Sequence, residues 1–432
     1  MYFYLHFIIF VFMNLKEIPA TNTIKGKLNI PSSKSFAQRA IALAGLSQSS
    51  VFIRNLTNSN DVIAAQGIIQ SMEAEFTRNN IELYLTKGIS HKSVKAISIN
   101  CKESGLSTRL FSAFSLLFDQ TFHVDGEGSI MHRTMEMVID GLKAFGKRIK
   151  SNDSKLPLVI EGEILNHTVE IDGNISSQFL TGLLIVAPFL KSDTQIKVLD
   201  LKSKSYIAMT IDLMLHFGLE VENKDFQVFN IRGNQSITKP INYKVEGDWS
   251  AASFMVIAGA IGGNVKLTGL SKSSRQGDKV ILDAAKLAGA NVKWENEDLF
   301  IEKNNLVPFH FDATECPDLF PPLVVLAAYA DGKSIIKGVN RLKHKESDRG
   351  LTLQQECLKI GVKIELEDDQ MIIYGKGQPT ISEEVTFSSH NDHRIAMAMT
   401  LFSIGAKKSI FIENPNAIDK SYPDFYKDFL TI

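Results

Sequence analysis

The chain has 432 residues, 44% of them hydrophobic and 22% charged, which excludes a disordered or fibrous protein and leaves length for two or more domains with their own cores. Lys plus Arg number 47 against 48 Asp plus Glu, so the net charge of −1 provides no whole-molecule field for nucleic acid or an anionic membrane, and any anion site has to be local. The three cysteines, Cys101, Cys316 and Cys357, form no CxxC pair; they read as buried thiols in a reducing compartment, with no structural zinc.

In chain order, residues 1–13 (MYFYLHFIIFVFM) are apolar but too short to span a bilayer and carry no basic residue ahead of the apolar run. Residues 1–12 are therefore expected to be a non-structural extension, with a membrane tether as the weaker alternative. A long apolar run is absent elsewhere, so a cytoplasmic location without membrane association is the simplest expectation.

The stretch from Ile30 to Arg39 (IPSSKSFAQR) runs from a strand end into a helix, with Ser32 and Ser33 as N-cap candidates for the apolar run that follows. Its first turn carries Lys34, and Ser35 and Arg39 share a face at i,i+4, although a helix start favours acids over cations. A bound anion would repair that conflict; taken singly, the stretch also reads as a solvated basic turn.

The same unit of strand, polar loop and apolar helix returns five times. It runs from Ile99 to Gly105 into Leu110, from Ile171 to Gln178 into Phe179, from Val245 to Ser250 into Ala251, from Phe311 to Asp318 into Leu319, and from Phe387 to Arg394 into Ile395. Between these units, helix-like runs end at Gly146, Gly218, Gly289 and Gly361, which stand 72, 71 and 72 residues apart, and a fifth copy one period earlier has Glu73 in the glycine's place. Helices apolar nearly all round need sheets and outer helices about them. The pattern implies two domains of three repeats, with crossings near Pro31 and Val245: one discontinuous domain of 13–31 plus 246–432, and another of 32–245.

The predicted helix starts and the loops near them carry Lys34, Ser35, Arg39, Ser176, Ser177, Gln178, Asp318, His393 and Arg394, with Arg133 in the loop from Gly126, so that cations and hydroxyls accumulate at dipole-positive ends. Repetition of this pattern suggests a shared cleft for phosphate and carboxylate groups. In the run from Lys343 to Arg349, Lys345 and Arg349 are predicted to share one helix face, a like-charge pair costing roughly 0.2–0.5 kcal/mol unless something negative lies between them. Glu346 and Asp348 are local counter-charges there, and Lys420 adds a cation near the C-terminus. His393 taken singly reads as a structural histidine. P-loop, GxGxxG and HExxH motifs are absent.

These residues, in this order, resemble the 5-enolpyruvylshikimate-3-phosphate (EPSP) synthase family. The resemblance rests on Pro31 to Ser35 with Arg39, Gly126 to Arg133, Ser176 to Gln178, Ser203 to Tyr206, Lys345 to Arg349, Asp392 to Arg394, and Lys420. It implies a two-domain inside-out α/β barrel of six strand-helix-strand units, three per domain, with the active site in the interdomain cleft. It also implies that the 5-hydroxyl of shikimate 3-phosphate adds to C2 of phosphoenolpyruvate while C3 is protonated, and that the intermediate then loses phosphate. No metal or organic cofactor, no nucleic-acid partner and a monomer are expected. By the same resemblance Ser35, Arg39, Ser176, Ser177, Gln178, Ser203 and Tyr206 hold shikimate 3-phosphate, and Lys34, Gly105, Arg133, Gln178, Arg349, Arg394 and Lys420 hold phosphoenolpyruvate. Asp318 accepts the hydroxyl proton, Glu346 serves proton transfer at the methylene, and Lys34 or Lys345 assists phosphate departure. The discontinuous domain is the phosphoenolpyruvate side and 32–245 the shikimate 3-phosphate side.

The chain departs from the family pattern at Glu103-Ser104-Gly105-Leu106, where Asn-Ala-Gly-Thr is usual, and at Ser32, Thr134 and Ser205. A UDP-N-acetylglucosamine enolpyruvyl transferase is the nearest rival, but Gly126 to Arg133 lacks that family's cysteine. An RNA phosphate cyclase matches the motifs less well. A catalytically silent phospho-acid-binding homologue is the alternative from another class, against which the joint presence of Asp318, Lys345 and Glu346 argues.

Overall fold

The computed structural model describes residues 14–90, 96–174, 176–343 and 345–432; the extension expected at 1–12 lies outside them. In chain order the α-helices are α1 (Lys34–Gly45), α2 (Asn60–Ser71), α3 (Gly105–Ser112), α4 (Glu136–Ala144), α5 (Gln178–Val186), α6 (Lys204–His216), α7 (Trp249–Gly262), α8 (Ile281–Leu287), α9 (Phe320–Tyr329), α10 (Arg349–Leu358), α11 (His393–Leu401) and α12 (Phe425–Leu430).

The odd-numbered helices are the apolar ones of the repeat, and they are buried almost throughout: every residue of α3, α9 and α11 is inaccessible to solvent or nearly so. Burying each large aliphatic side chain of such a helix contributes roughly 1.5–3 kcal/mol. The even-numbered helices between them keep a solvent face. Four of these end on the glycines of the 72-residue period, and Gly146, Gly218, Gly289 and Gly361 all have positive φ, between 72° and 100°. Past each, an amide reaches back five residues, as from Lys147 to the Leu142 carbonyl at 3.1 Å, the bond that closes a helix through a left-handed residue. Glu73 adopts the same conformation, with φ 68°, and Ala74 bonds back to Ile69 at 3.1 Å.

Each full repeat makes a four-stranded mixed sheet. In one, Phe122–Asp125 runs parallel to Ile97–Asn100 and antiparallel to Lys155–Glu161, which pairs antiparallel with Arg148–Asn152. Two sheets trade their first strand. Ile24–Asn29 leads into α1 yet pairs with Gly263–Thr268, while Ile241–Lys244, leading towards α7, pairs with Val51–Arg54. Where these segments pass, the Ser33 amide donates to the Glu246 carbonyl at 2.7 Å and the Asp248 amide to the Pro31 carbonyl at 2.8 Å. The last sheet has three strands, with Leu15–Ile18 laid antiparallel on Ile410–Glu413.

The architecture is thus a mixed α/β two-domain fold of six strand-helix-strand units. Its apolar interior forms two clusters, one drawn from Phe36 to Val245 and the other from Ile18 to Ile30 with Trp249 to Phe429. Cys101, Cys316 and Cys357 are buried, and burial pushes the Cys101 thiol up to about 12. Among the described residues no helix is long and apolar enough to cross a membrane.

Candidate active site

Of the site residues named from the sequence, all but Lys420 line one cavity of about 310 Å³ between the two clusters. Lys34, Ser35 and Arg39 come from the first turns of α1, where Ser33 is the N-cap. Gly105 opens α3, and a Cβ there would lie 2.9 Å from Arg133 Nη1, so glycine leaves room for that guanidinium where it now sits. Ser176, Ser177 and Gln178 open α5, Ser203 and Tyr206 open α6, and Asp318 sits in the turn Pro317–Leu319 ahead of α9.

Lys345 corrects one expectation. Helix α10 begins only at Arg349, because Asp348 caps it by accepting from the Leu351 amide at 3.3 Å, so Lys345 and Arg349 do not share a helix face. Their charges meet at Asp318 instead, whose Oδ1 lies 3.2 Å from Lys345 Nζ and 2.7 Å from Arg349 Nη1. Arg349, 1% exposed, is held by three carboxylates: Asp318, Glu346 Oε2 at 2.7 Å and Asp392 Oδ2 at 2.7 Å. Arg394 Nη2 approaches Asp318 Oδ2 at 3.1 Å, and Arg133 Nη1 approaches Glu346 Oε1 at 3.8 Å. Burial on its own would push Asp318 up, but Arg394, Lys345 and Arg349 hold its carboxyl well below the usual range. Glu346 is likewise held well below against its burial, by Arg349 and Arg133.

The cation at the start of α1 has an acid across from it: Lys34 Nζ lies 2.9 Å from Asp61 Oδ2, in the first turn of α2. Arg39 is different. Its guanidinium is buried against the Thr210 hydroxyl at 2.9 Å and the Ser35 carbonyl at 2.8 Å, with no carboxylate in ion-pair reach among the described residues, and burial pushes it down to about 10. Such a site favours an incoming anion.

Lys420 stands apart from the cavity. Its Nζ contacts Glu103 Oε2 at 2.7 Å and donates to the Asn391 carbonyl at 2.7 Å. Among the described residues no three His, Cys, Asp or Glu side chains gather as a metal ion would need.

The family model for EPSP synthase (3-phosphoshikimate 1-carboxyvinyltransferase) matches residues 18–429. The chain belongs to the EPSP synthase family. The 3-phosphoshikimate 1-carboxyvinyltransferase of Clostridium novyi is 38% identical over 427 residues, covering 96% of each chain, and that of Clostridium perfringens is 36% identical over 96% of this chain and 98% of its own. In fold, an EPSP synthase from Acinetobacter baumannii superposes with a TM-score of 0.80 at 23% identity, over 96% of this chain and 97% of that one. The enolpyruvyl transferase NikO from Streptomyces tendae superposes at 0.76 with 16% identity, over 96% of each. The EPSP synthase family transfers the enolpyruvyl group of phosphoenolpyruvate to shikimate 3-phosphate, and the UDP-N-acetylglucosamine alternative is not favoured.

For an EPSP synthase family member, the sequence reading missed several groups in the cavity. Asp61, Arg109 and Arg341 are among its walls. Arg109 donates to Gln178 Oε1 at 2.7 Å, which fixes the orientation of the Gln178 amide. Arg341 bridges the Thr314 carbonyl at 2.9 Å and the Ser203 hydroxyl at 3.3 Å. His393, expected to be structural, lines the cavity as well. Burial, with Lys34 and Arg394 nearby, holds it well below the usual imidazole range, and neither ring nitrogen has a hydrogen-bond partner among the described residues.

Proposed function

We propose that this cavity holds shikimate 3-phosphate and phosphoenolpyruvate side by side and carries the enolpyruvyl transfer of the family. The observation that supports this reading most is charge. Among the described residues eight lysines and arginines line the cavity against Asp61, Asp318 and Glu346, an excess of five positive charges in a chain whose net charge is −1. Two small acids that each carry a phosphate and a carboxylate match that excess.

In this reading Ser35, Arg39, Ser176, Ser177, Gln178, Ser203 and Tyr206 hold shikimate 3-phosphate, all of them within the proposed domain 32–245. Lys34, Gly105, Arg133, Gln178, Arg349 and Arg394 hold phosphoenolpyruvate, and Lys420 reaches its phosphate from the rim; the proposed domain of 13–31 plus 246–432 supplies Arg349, Arg394 and Lys420. Asp318 takes the proton of the attacking 5-hydroxyl, Glu346 serves proton transfer at C3, and Lys345, with Lys34, donates to the departing phosphate. Burial lowers the Lys345 ammonium, which makes it a readier donor.

Both carboxylates are ionised and weakly basic while the surrounding guanidiniums compensate them. Substrate anions that draw on Arg133, Arg349 and Arg394 would remove part of that compensation, so Asp318 and Glu346 gain basicity only once the substrates are in place. We further propose a cytoplasmic monomer.

Phosphate release from phosphoenolpyruvate, followed with purified protein, should require shikimate 3-phosphate. Release driven by UDP-N-acetylglucosamine would overturn the substrate assignment, and binding of both acids without turnover would favour a silent phospho-acid-binding protein.

A further inference from the structure

Glu103 occupies a place where the family pattern has asparagine, and its carboxylate is engaged from both sides of the cleft. Its Oε2 lies 2.7 Å from Lys420 Nζ, accepts from Ser129 Oγ at 3.2 Å and accepts from Asn391 Nδ2 at 3.4 Å. Ser129 belongs to the loop that carries Arg133, whereas Asn391 and Lys420 belong to the opposite apolar cluster's part of the chain. The Arg133 loop is shaped around this carboxylate. Gly128 is left-handed at φ 58°, and a Cβ on it would lie 2.5 Å from Glu103 Cδ. Lys420 itself is nearly buried, with 9% of its side chain exposed.

We propose that Glu103 is a positioning residue that stands in for the phosphate of phosphoenolpyruvate at Lys420, and thereby sets the affinity for that substrate. This rests on the assignment of Lys420 to phosphoenolpyruvate. A carboxylate and a phosphate monoester offer an ammonium the same charge-assisted acceptors, so the two compete for one lysine. The flexible four-carbon stem of Lys420 lets the ammonium turn from one to the other, while its bond to the Asn391 carbonyl ties it to the segment that leads into α11. Substrate affinity is then reduced by the fraction of molecules in which Lys420 is already paired.

The experiment measures the KM for phosphoenolpyruvate at saturating shikimate 3-phosphate in the full-length protein and in E103Q, K420M and the double variant. The glutamine side chain of E103Q keeps the length and the acceptor for Ser129 but loses the charge. E103Q should lower the KM by about two- to fivefold, the size expected of one partly exposed ion pair. K420M should raise the KM, and adding E103Q to it should change nothing further, because the competition needs the lysine. A merely structural Glu103 would raise the KM and lower kcat together, in either background. A KM in E103Q that is unchanged or raised, while K420M raises it, overturns the proposal. A KM unmoved by K420M overturns the assignment of Lys420 instead. E103Q read against the unaltered protein decides the matter even where K420M fails to fold.

Discussion

Asp278 is a carboxylate that the fold holds against its own charge. It is buried, its one described partner is the Ser250 hydroxyl, and burial with Asp318 nearby pushes it up to about 6. The unfolded chain releases that proton at about 3.9, so between about pH 4 and 6 the folded state binds more protons and stability falls as pH rises. The penalty is complete above about pH 6 and absent below about pH 4. Asp278→Asn should therefore be more stable than the unaltered protein at pH 7.5, by up to about 2–3 kcal/mol, with the advantage vanishing at pH 4. Chemical denaturation at the two pH values checks it, and an equal difference at both would mean that hydrogen bonding rather than charge decides. Asp278 was not legible in the sequence, nor were Asp61, Arg109 and Arg341. Asp61 on an outer helix, and Asp278 and Arg341 inside turns, read as solvated until tertiary packing encloses them, and Arg109 is a single charge within the apolar run of α3 that gives no local sign of facing the cavity. Lys34, Ser35 and Arg39 were legible because their conflict with the helix dipole is local, although the structure answers Lys34 with Asp61 and leaves the anion argument to Arg39.

At the scale of the element, the 72-residue period was readable because a left-handed helix end is written by one residue. Where Glu73 replaces glycine the backbone does not change, so the side chain bears the cost. A non-glycine residue in that conformation costs roughly 1–2 kcal/mol, partly offset by the smaller entropy it loses on folding, about 0.4–1 kcal/mol. Glu73→Gly should then stabilise the protein by about 0.5–1 kcal/mol and raise the thermal midpoint by about 1–2 °C. A lowered midpoint would show that the exposed Glu73 side chain makes a contribution larger than the strain. The helix expected to hold Lys345 failed for a local reason too: Asp348 is a strong N-cap, so the helix starts only at Arg349 and the preceding loop can fold over Asp318. Charge pattern and cap preference competed there, and the cap won.

At the scale of the whole molecule, the places where the repeats begin lead to the expectation of crossings near Pro31 and Val245, but nothing in them announces the exchange of strands. Choice of a strand partner is a non-local property, and Ile24–Asn29 carries nothing that distinguishes Gly263–Thr268 from Val51–Arg54. The exchange makes the two halves unequal in their independence. Residues 32–245 contain the whole of one apolar cluster and, in Ile241–Lys244, the strand that completes their first sheet. Residues 246–432 lack Ile24–Asn29 and Leu15–Ile18, which pair into two of their three sheets. Expressed separately, 32–245 should unfold cooperatively and protect its core amides from exchange, whereas 246–432 should do so only when 14–31 is joined to it. Because all seven residues proposed for shikimate 3-phosphate lie in 32–245, that fragment should also bind this acid, more weakly than the full chain since Asp318, Arg341 and Lys345 are missing from its cavity. Calorimetry with each fragment decides it. A folded 32–245 with no affinity for shikimate 3-phosphate would move the decisive contacts to the other side of the cleft.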